Sequence, residues 1–435
     1  MTQEPVIEDR PEQADRPTVW RSRNFLLLWS GQTAAELGSR ISSVAVPLLA
    51  AETLDASIFQ ISLLTTLAWL PYLLISLPAG LIADRVDQRK LMIACDLGRM
   101  ALMLSLPLAS IAGVLSLGFL YTVILLSGTL TVLFNVAYRS MLPRLLEEHQ
   151  LVDGNAKLTM SQDAGELVGP SIGGVLIGVL GAAKTFFTNG LAYLISAVTL
   201  WLIRAEPVER AARTAEERRP LRTELTEGIS FISRHPILRS LLLCSTTSNF
   251  FVMASGSIEV TFMVRELEAS PWLVGVVFSI SAIGGLVIGA MTKRISDRVG
   301  SARIIWVAMV APGPLYLCMP LAQPGWGVLL YGIGLAAFSA NIVLYSVAAT
   351  SYRQRVTPAH MLGRVNASVM WICYGAIPLG ALTGGALASA LGLRTALWIC
   401  VLGTWSAALW VFFSPLRKMR DLPESRAAAP ETAAV

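Results

Sequence analysis

The chain has 435 residues, of which 54% are hydrophobic and only 14% charged, against about 25% charged in a soluble globular domain. Three soluble domains of roughly 150 residues fit the length, but a mean hydropathy of +0.60 leaves too little polar surface to face water, and a multi-span membrane protein is the class that remains. The net charge of +5 does not point to nucleic acid, because the basic residues are spread between apolar runs along the whole chain instead of forming a patch.

The first two dozen residues are polar, acidic and proline-containing, with no apolar run before Phe25. No cleavable signal peptide is expected, and the first hydrophobic segment acts as its own insertion signal. Apolar runs bounded by charges or by Gly and Pro turns then place membrane spans at roughly 25–50, 58–82, 91–112, 117–137, 158–181, 185–203, 238–264, 272–292, 303–322, 326–349, 365–391 and 395–414. Twelve spans put both termini on one side. The tails and loops of that side hold 29 of the 34 Lys and Arg, the opposite side holds Lys184, Arg265 and Arg394, and Arg40 and Arg99 lie within spans. By the positive-inside rule both termini are cytoplasmic.

Taken in chain order, span one carries Gln32, Glu36, Ser39, Arg40 and Ser43 on a single helical stripe. Ionisable groups at that depth are expensive and usually face a watery cavity. Glu36 with Arg40 four residues later therefore reads either as a proton-exchanging site or as a permanent ion pair that orients the helix. The loop after span two runs Gly80, Leu, Ile, Ala, Asp84, Arg85, Val86, Asp87, Gln88, Arg89, Lys90. Gly80 permits close helix approach, and Asp84 with the following basic residues can form a charged latch at the cytoplasmic rim. Asp96 and Arg99 form another charged set near the cytoplasmic end of span three.

Span five reads Gly165, Glu166, Leu, Val, Gly169, Pro170, Ser, Ile, Gly173, Gly174. Glycines every four residues make a smooth groove for a neighbouring helix, Pro170 introduces a kink, and Glu166 adds a carboxyl at membrane depth. The longest polar stretch, Arg204 to Arg239, lies almost at the midpoint of the chain. Its second part, from Leu221 through Phe231 and Ile232, has helical apolar spacing, which fits a helix at the membrane interface or a solvated connector. Glu259 lies toward the outer end of span seven.

The two sides of that connector repeat each other. Asp84-Arg85-Val86 recurs as Asp297-Arg298-Val299 at an offset of 213; Gly169, Gly173-Gly174 and Leu180-Gly181 recur as Gly380, Gly384-Gly385 and Leu391-Gly392 at 211. A duplicated unit is implied, and repeats of this kind enclose a central site and rock against one another. The expected organisation is an N-terminal tail (1–24), a six-helix bundle (25–203), a linker (204–237), a second six-helix bundle (238–414) and a C-terminal tail (415–435).

With the latch loop, the span-five signature and the opening Asn24 to Thr33 in view, the chain resembles the major facilitator superfamily from Phe25 to about Ser414. It looks closest to the drug:proton antiporter branch that includes macrolide-efflux and enterobactin-exporter type proteins. The resemblance implies an all-α membrane fold of twelve helices in two pseudo-symmetric bundles. It also implies a cytoplasmic gate of Gly80, Asp84, Arg85, Arg89, Asp297 and Arg298, and an export-type signature in Gly165, Gly169, Pro170, Gly173 and Gly174. Asp87 stands where the family usually has Gly, Gln88 where it is usually basic, and Lys293 replaces the Gly in the second copy. The arginine that many family exporters carry within helix four is missing, since Arg139 falls at the end of that span.

Proton coupling is therefore assigned to Glu36 with Arg40, then Glu166, then Asp96. The family architecture places helices one, four, seven and ten around the cavity, which offers Gln32, Asn135, Tyr138, Asn249, Asn341 and Tyr345 to a bulky solute; interhelical hydrogen bonds are the alternative use of these groups. Enzyme chemistry finds no support. His149, His235 and His360 lie in loops without metal-site spacing, Cys95, Cys244, Cys318, Cys373 and Cys400 lie in apolar segments without CxxC spacing, and no Walker-type phosphate loop is present. No cofactor or metal is expected. The partners expected are a small-molecule substrate, a proton and the lipid bilayer, with no nucleic acid, in a monomer of the inner (plasma) membrane. The reading is a secondary exporter of a small amphiphilic drug, antibiotic or siderophore-like metabolite. A lipid or lysolipid flippase, or an uncoupled facilitator on the same fold, is the alternative, and a receptor built on it a more distant one.

Overall fold

A computed structural model describes residues 19–146, 150–203, 221–300 and 302–421, and within these the side chains of 76–85, among others, lie outside the description. The described chain is almost entirely helical. Its first half comprises α1 (Arg23–Thr53), α2 (Ile58–Arg85), α3 (Gln88–Ile111), α4 (Leu117–Leu145), α5 (Leu151–Leu180) and α6 (Ala182–Leu202). A linker helix α7 (Leu221–Arg234) leads into α8 (Pro236–Arg265) and α9 (Pro271–Val299). Three short pieces follow, α10 (Arg303–Val310), α11 (Gly313–Tyr316) and α12 (Cys318–Leu321), then α13 (Gly327–Val356), α14 (Ala359–Leu391), α15 (Leu393–Ser406) and α16 (Ala408–Phe412).

Local chemistry sets these boundaries. The Ser22 hydroxyl accepts from the Phe25 amide and the Ser116 hydroxyl from the Phe119 amide, so α1 and α4 start on side-chain N-caps. Asp87 accepts from the Lys90 amide at 3.2 Å and caps α3, which accounts for an acid where a glycine was the family expectation. Gly181 (φ 83°, ψ 156°) and its repeat mate Gly392 (φ 86°, ψ 155°) make the abrupt turns α5–α6 and α14–α15, in a backbone region essentially reserved for glycine.

The expectation of twelve spans is met in outline and not in count. Ten segments among the described residues are long and apolar enough to cross a membrane, or eleven if α5 counts as one span bent by 41° between Glu166 and Val168. Pro170 explains the bend, because it removes the amide that would pair with the Glu166 carbonyl. At 31 residues α1 is long enough to span, but its polar stripe keeps it out of the apolar set. Span nine breaks into α10, α11 and α12 around Pro312, Gly313 and Pro314, and span twelve breaks at Ala407 into α15 and α16. The five cysteines sit in the interior as expected, four buried and Cys318 half-buried.

The glycine repeats fix how the helices meet. A Cβ on Gly173 would lie 3.1 Å from the Ile41 carbonyl oxygen of α1, and one on Gly174 would lie 3.1 Å from the Pro271 carbonyl oxygen of α9. Adjacent glycines thus let α5 touch α1 in its own half and α9 in the other. The second copy does the same: Gly384 abuts Ala254 of α8, 213 residues beyond Ile41, and Gly385 abuts Phe59 and Ser62 of α2. The halves therefore cross at two equivalent small-residue contacts, α5 on α9 and α14 on α2.

Burial follows the same plan. One apolar core runs through both halves at the end remote from the termini, from Val44, Leu48 and Ile61 to Ile258, Phe262 and Leu397. Two further cores lie toward the other end and are not shared: one built from Phe25, Met92, Phe134 and Leu200, the other from Leu238, Ile305, Tyr352 and Val411. Across the closed end Arg265 donates to the Ala56 carbonyl at 2.7 Å and the Ser62 hydroxyl to the Ser257 carbonyl at 3.4 Å. Among the described residues the halves share an apolar core at one end and have separate cores at the other.

Candidate functional site

The charged stripe of α1 meets the bent part of α5. Arg40 Nε donates to Glu36 Oε1 at 2.9 Å, its Nη2 lies 2.8 Å from the same oxygen, and that Nη2 also lies 3.4 Å from Glu166 Oε2. The approach depends on the signature glycines: a Cβ on Gly169 would run into Cβ and Cγ of Arg40, and one on Gly165 would lie 3.4 Å from Glu36 Cγ. Glu36 and Arg40 are 17% and 26% exposed, whereas Glu166 is 61% exposed. The cluster thus has a sheltered acid, a shared cation and an open acid. It lies about 12 Å along α5 from the Gly174 contact, toward the end where the halves have separate cores. One arginine between two carboxylates leaves one negative charge over, which a proton or a cationic group can neutralise.

Asp96 is in a different setting. It pairs with Arg99 on α3 and its side chain is fully buried. The Arg99 guanidinium is sandwiched 4.4 Å from the Phe134 ring centre and 4.5 Å from that of Tyr193, and Nη1 donates to Thr131 at 3.4 Å. This set pins α3 to α4 and α6. Of the cavity candidates in the first half, Gln32 has a buried Oε1 with no hydrogen-bond partner among the described residues. Asn135 donates to the Tyr72 hydroxyl at 2.9 Å, and Tyr138 stacks on Phe134 with ring centres 6.3 Å apart.

Residue-by-residue reasoning passed over an aromatic group at the junction of the halves. Trp69 and Tyr72 of α2 lie 6.0 and 6.1 Å from Tyr374 of α14, ring centre to ring centre. Their signal in the sequence is a pair of aromatics with polar tips three residues apart on span two.

In the second half Asn249 is half-buried on α8. Asn341 and Tyr345, expected at the cavity, are turned into the packing of that half. Asn341 is 2% exposed, and the Tyr345 hydroxyl donates to the Leu241 carbonyl at 3.0 Å and meets Ser245 at 3.1 Å. Helical spacing places both residues on one face of α13, and α8 covers part of that face. Glu259 is half-buried, with Oε1 enclosed and the Tyr331 hydroxyl beside its carboxylate.

The gate residues Gly80, Asp84 and Arg85 lie outside the described side chains. Arg89 is engaged within its own half, with Nε donating to the Leu200 carbonyl at 2.8 Å and Nη2 to that of Trp201, so it closes the C-terminal end of α6. Asp297 and Arg298 are exposed on the last turn of α9, and neither forms an ion pair among the described residues.

Two repeated helical halves joined at one end, with a charged cluster on α1 and α5 of the first half, fit the architecture of a solute carrier. The chain belongs to the Major Facilitator Superfamily, whose sequence profile matches residues 28–381; it is a multi-pass membrane transporter and not an enzyme. It is 27% identical to the uncharacterized MFS-type transporter YfiS of Bacillus subtilis (strain 168), over 89% of this chain and 92% of that one. It is 21% identical to macrolide efflux protein A of Streptococcus pyogenes, over 93% and 98% respectively. Among solved structures it resembles a bacterial homologue of the human lysosomal transporter Spinster in an inward-facing, unoccupied conformation, with a TM-score of 0.68 and 18% identity over 90% of this chain and 96% of that one.

Proposed function

We propose that this transporter exports a small amphiphilic molecule in exchange for protons, with Glu166 as the carboxyl that proton and solute compete for and Glu36 and Arg40 as its sheltered partners. The carrying observation is the single arginine shared by two carboxylates of unequal exposure. A proton on Glu166 satisfies the surplus charge when the site faces one side; a solute with a cationic or donor group satisfies it when the site faces the other. Because the same oxygens serve both, the two cannot load together, and exchange follows from competition.

The charge distribution of the loops supports cytoplasmic termini, so the joined end of the halves is external and the cleft opens inward. The similarity to a macrolide efflux protein and the span-five signature support export. Gln32 and Asn135 from the first half, Asn249 from the second, and the Trp69, Tyr72 and Tyr374 rings are the surfaces offered to the solute. The protein works as a monomer in the inner membrane.

The test is uptake into everted membrane vesicles across a panel of hydrophobic cations, macrolides and siderophores, with and without an imposed pH gradient. Glu166→Gln is expected to abolish pH-driven uptake while preserving solute binding, and Glu36→Gln to reduce uptake about tenfold. Uptake in both variants that equals wild type at every pH would remove the carboxylates from the scheme and leave uncoupled facilitation.

A further inference from the structure

Away from the charged cluster of α1 and α5, α7 and the start of α14 line an open groove of about 720 Å³. Arg234 and Arg364 supply cationic groups, Thr226 and Ser230 hydroxyls, and Phe231 and Met361 an apolar wall. Glu227 also lines it, but its carboxylate is spent on Arg364, with Oε2 2.6 Å from Nη1. Arg234 is exposed and forms no ion pair among the described residues. Burial pushes the imidazole of His235 below the usual histidine value, and its Nδ1 accepts from the Leu238 amide at the start of α8, so near neutral pH it stays an uncharged cap. Among the described residues the lining therefore carries one net positive charge, on the guanidinium of Arg234.

Two further observations bear on the ligand. The site is built rather than incidental: Ile232 is anchored in the core of the second half, and a Cβ on Gly228 would lie 2.6 Å from the Arg364 carbonyl oxygen, so α7 is seated closely on α14. The groove also lies at the level where two membrane spans begin, since the apolar stretches start at Pro236 and Met361, beside its lining. At that level the anions at hand are phosphates of lipid headgroups, and a guanidinium with adjacent hydroxyls binds a phosphate through charge-assisted hydrogen bonds.

We propose that the groove between α7 and α14 binds a phosphate group, with Arg234 as its principal ligand, Ser230 as a supporting donor, and an anionic phospholipid as the source. The Phe231 and Met361 wall receives the glycerol backbone. An occupant there ties the linker helix to the second half at the membrane surface and is independent of the exchange scheme at Glu166.

The test uses the full-length protein purified in detergent, with phosphatidylglycerol, phosphatidylcholine, glycerol phosphate and inorganic phosphate as probes. Binding is read by retained-lipid mass spectrometry and by the shift in thermal unfolding. Phosphatidylglycerol is expected to bind and stabilise where phosphatidylcholine does not. Arg234→Gln should weaken it roughly fivefold, Ser230→Asp should weaken it further by like-charge repulsion, and Arg294→Gln on α9, outside the lining, should leave it unchanged. Only variants that keep the lipid-free unfolding midpoint are compared, which separates lost binding from lost folding. Equal stabilisation by inorganic phosphate, lost in the same variants, retains the phosphate site and moves its source to solution. Phosphatidylglycerol binding unaltered by both Arg234→Gln and Ser230→Asp, or no preference among the probes, overturns the assignment.

Discussion

Two charged clusters inside one membrane protein invite one explanation, yet their surroundings separate them. Arg99 is enclosed by two rings, Thr131 and one carboxylate and is only 5% exposed, so its charge depends on Asp96. Removing one partner of a buried pair costs about 3–5 kcal/mol, and the two cation–π contacts do not offset this, because both are already made with Asp96 in place. Asp96→Asn is expected to lower the thermal unfolding midpoint in detergent by several degrees and to reduce the folded yield. Glu36→Gln should leave the midpoint nearly unchanged, because Arg40 keeps Glu166 as a partner and neither side chain is fully buried. Equal midpoints for Asp96→Asn and wild type would mean that water reaches Arg99 and would return Asp96 to the coupling candidates. The sequence made Glu36 and Arg40 legible as an i, i+4 pair on one helix. The third member, Glu166, was identifiable as a membrane carboxyl but not as their neighbour, since nothing within α1 or α5 alone states that the two helices touch at that level.

At the scale of the helix, the paired glycines are the feature that sequence conveys best and structure completes. Their spacing announced a groove; the packing adds that Gly173 and Gly174 face different helices, and that Gly384 and Gly385 repeat the division with α8 and α2. The same reasoning runs short for Asn341 and Tyr345. Periodicity assigns them to a face of α13, but which neighbour covers that face is decided by tertiary packing. It runs short again at span nine, where an apolar run reads as one helix until Pro312 and Pro314 interrupt its hydrogen bonds. The glycine division predicts a selective lesion. Gly174→Val puts branched carbons where Gly275 and the Pro271 carbonyl of α9 now sit, which separates the halves at their joined end and leaves the α1–α5 contact, made by Gly173, intact. Distances between spin labels on Ser57 and Ser270 should lengthen, and transport should fall at least tenfold with solute binding retained. Unchanged distances with unchanged transport would show that the α5–α9 contact is not a seal.

For the whole molecule, one shared core and two separate ones mean that the apolar contacts holding the halves together are concentrated at a single end. A carrier that alternates must give those contacts up and form others at the far end, and a covalent tie across the closed end should stop it. Gly178 of α5 and Trp272 of α9 offer the place: a Cβ on Gly178 would lie 3.4 Å from that of Trp272, at the short edge of the roughly 3.5–4.5 Å that disulfides span, and both positions are exposed. The native cysteines do not compete, four being buried and Cys318 half-buried. With Gly178→Cys and Trp272→Cys together, oxidation should abolish transport and dithiothreitol should restore it, while solute added from the open side still binds. Trp272→Cys alone reports the side, because an impermeant thiol reagent should label it in intact cells if the joined end is external. Full oxidation with undiminished transport would mean that the halves never part at this contact, and the carrier would then need a path that leaves the shared core closed.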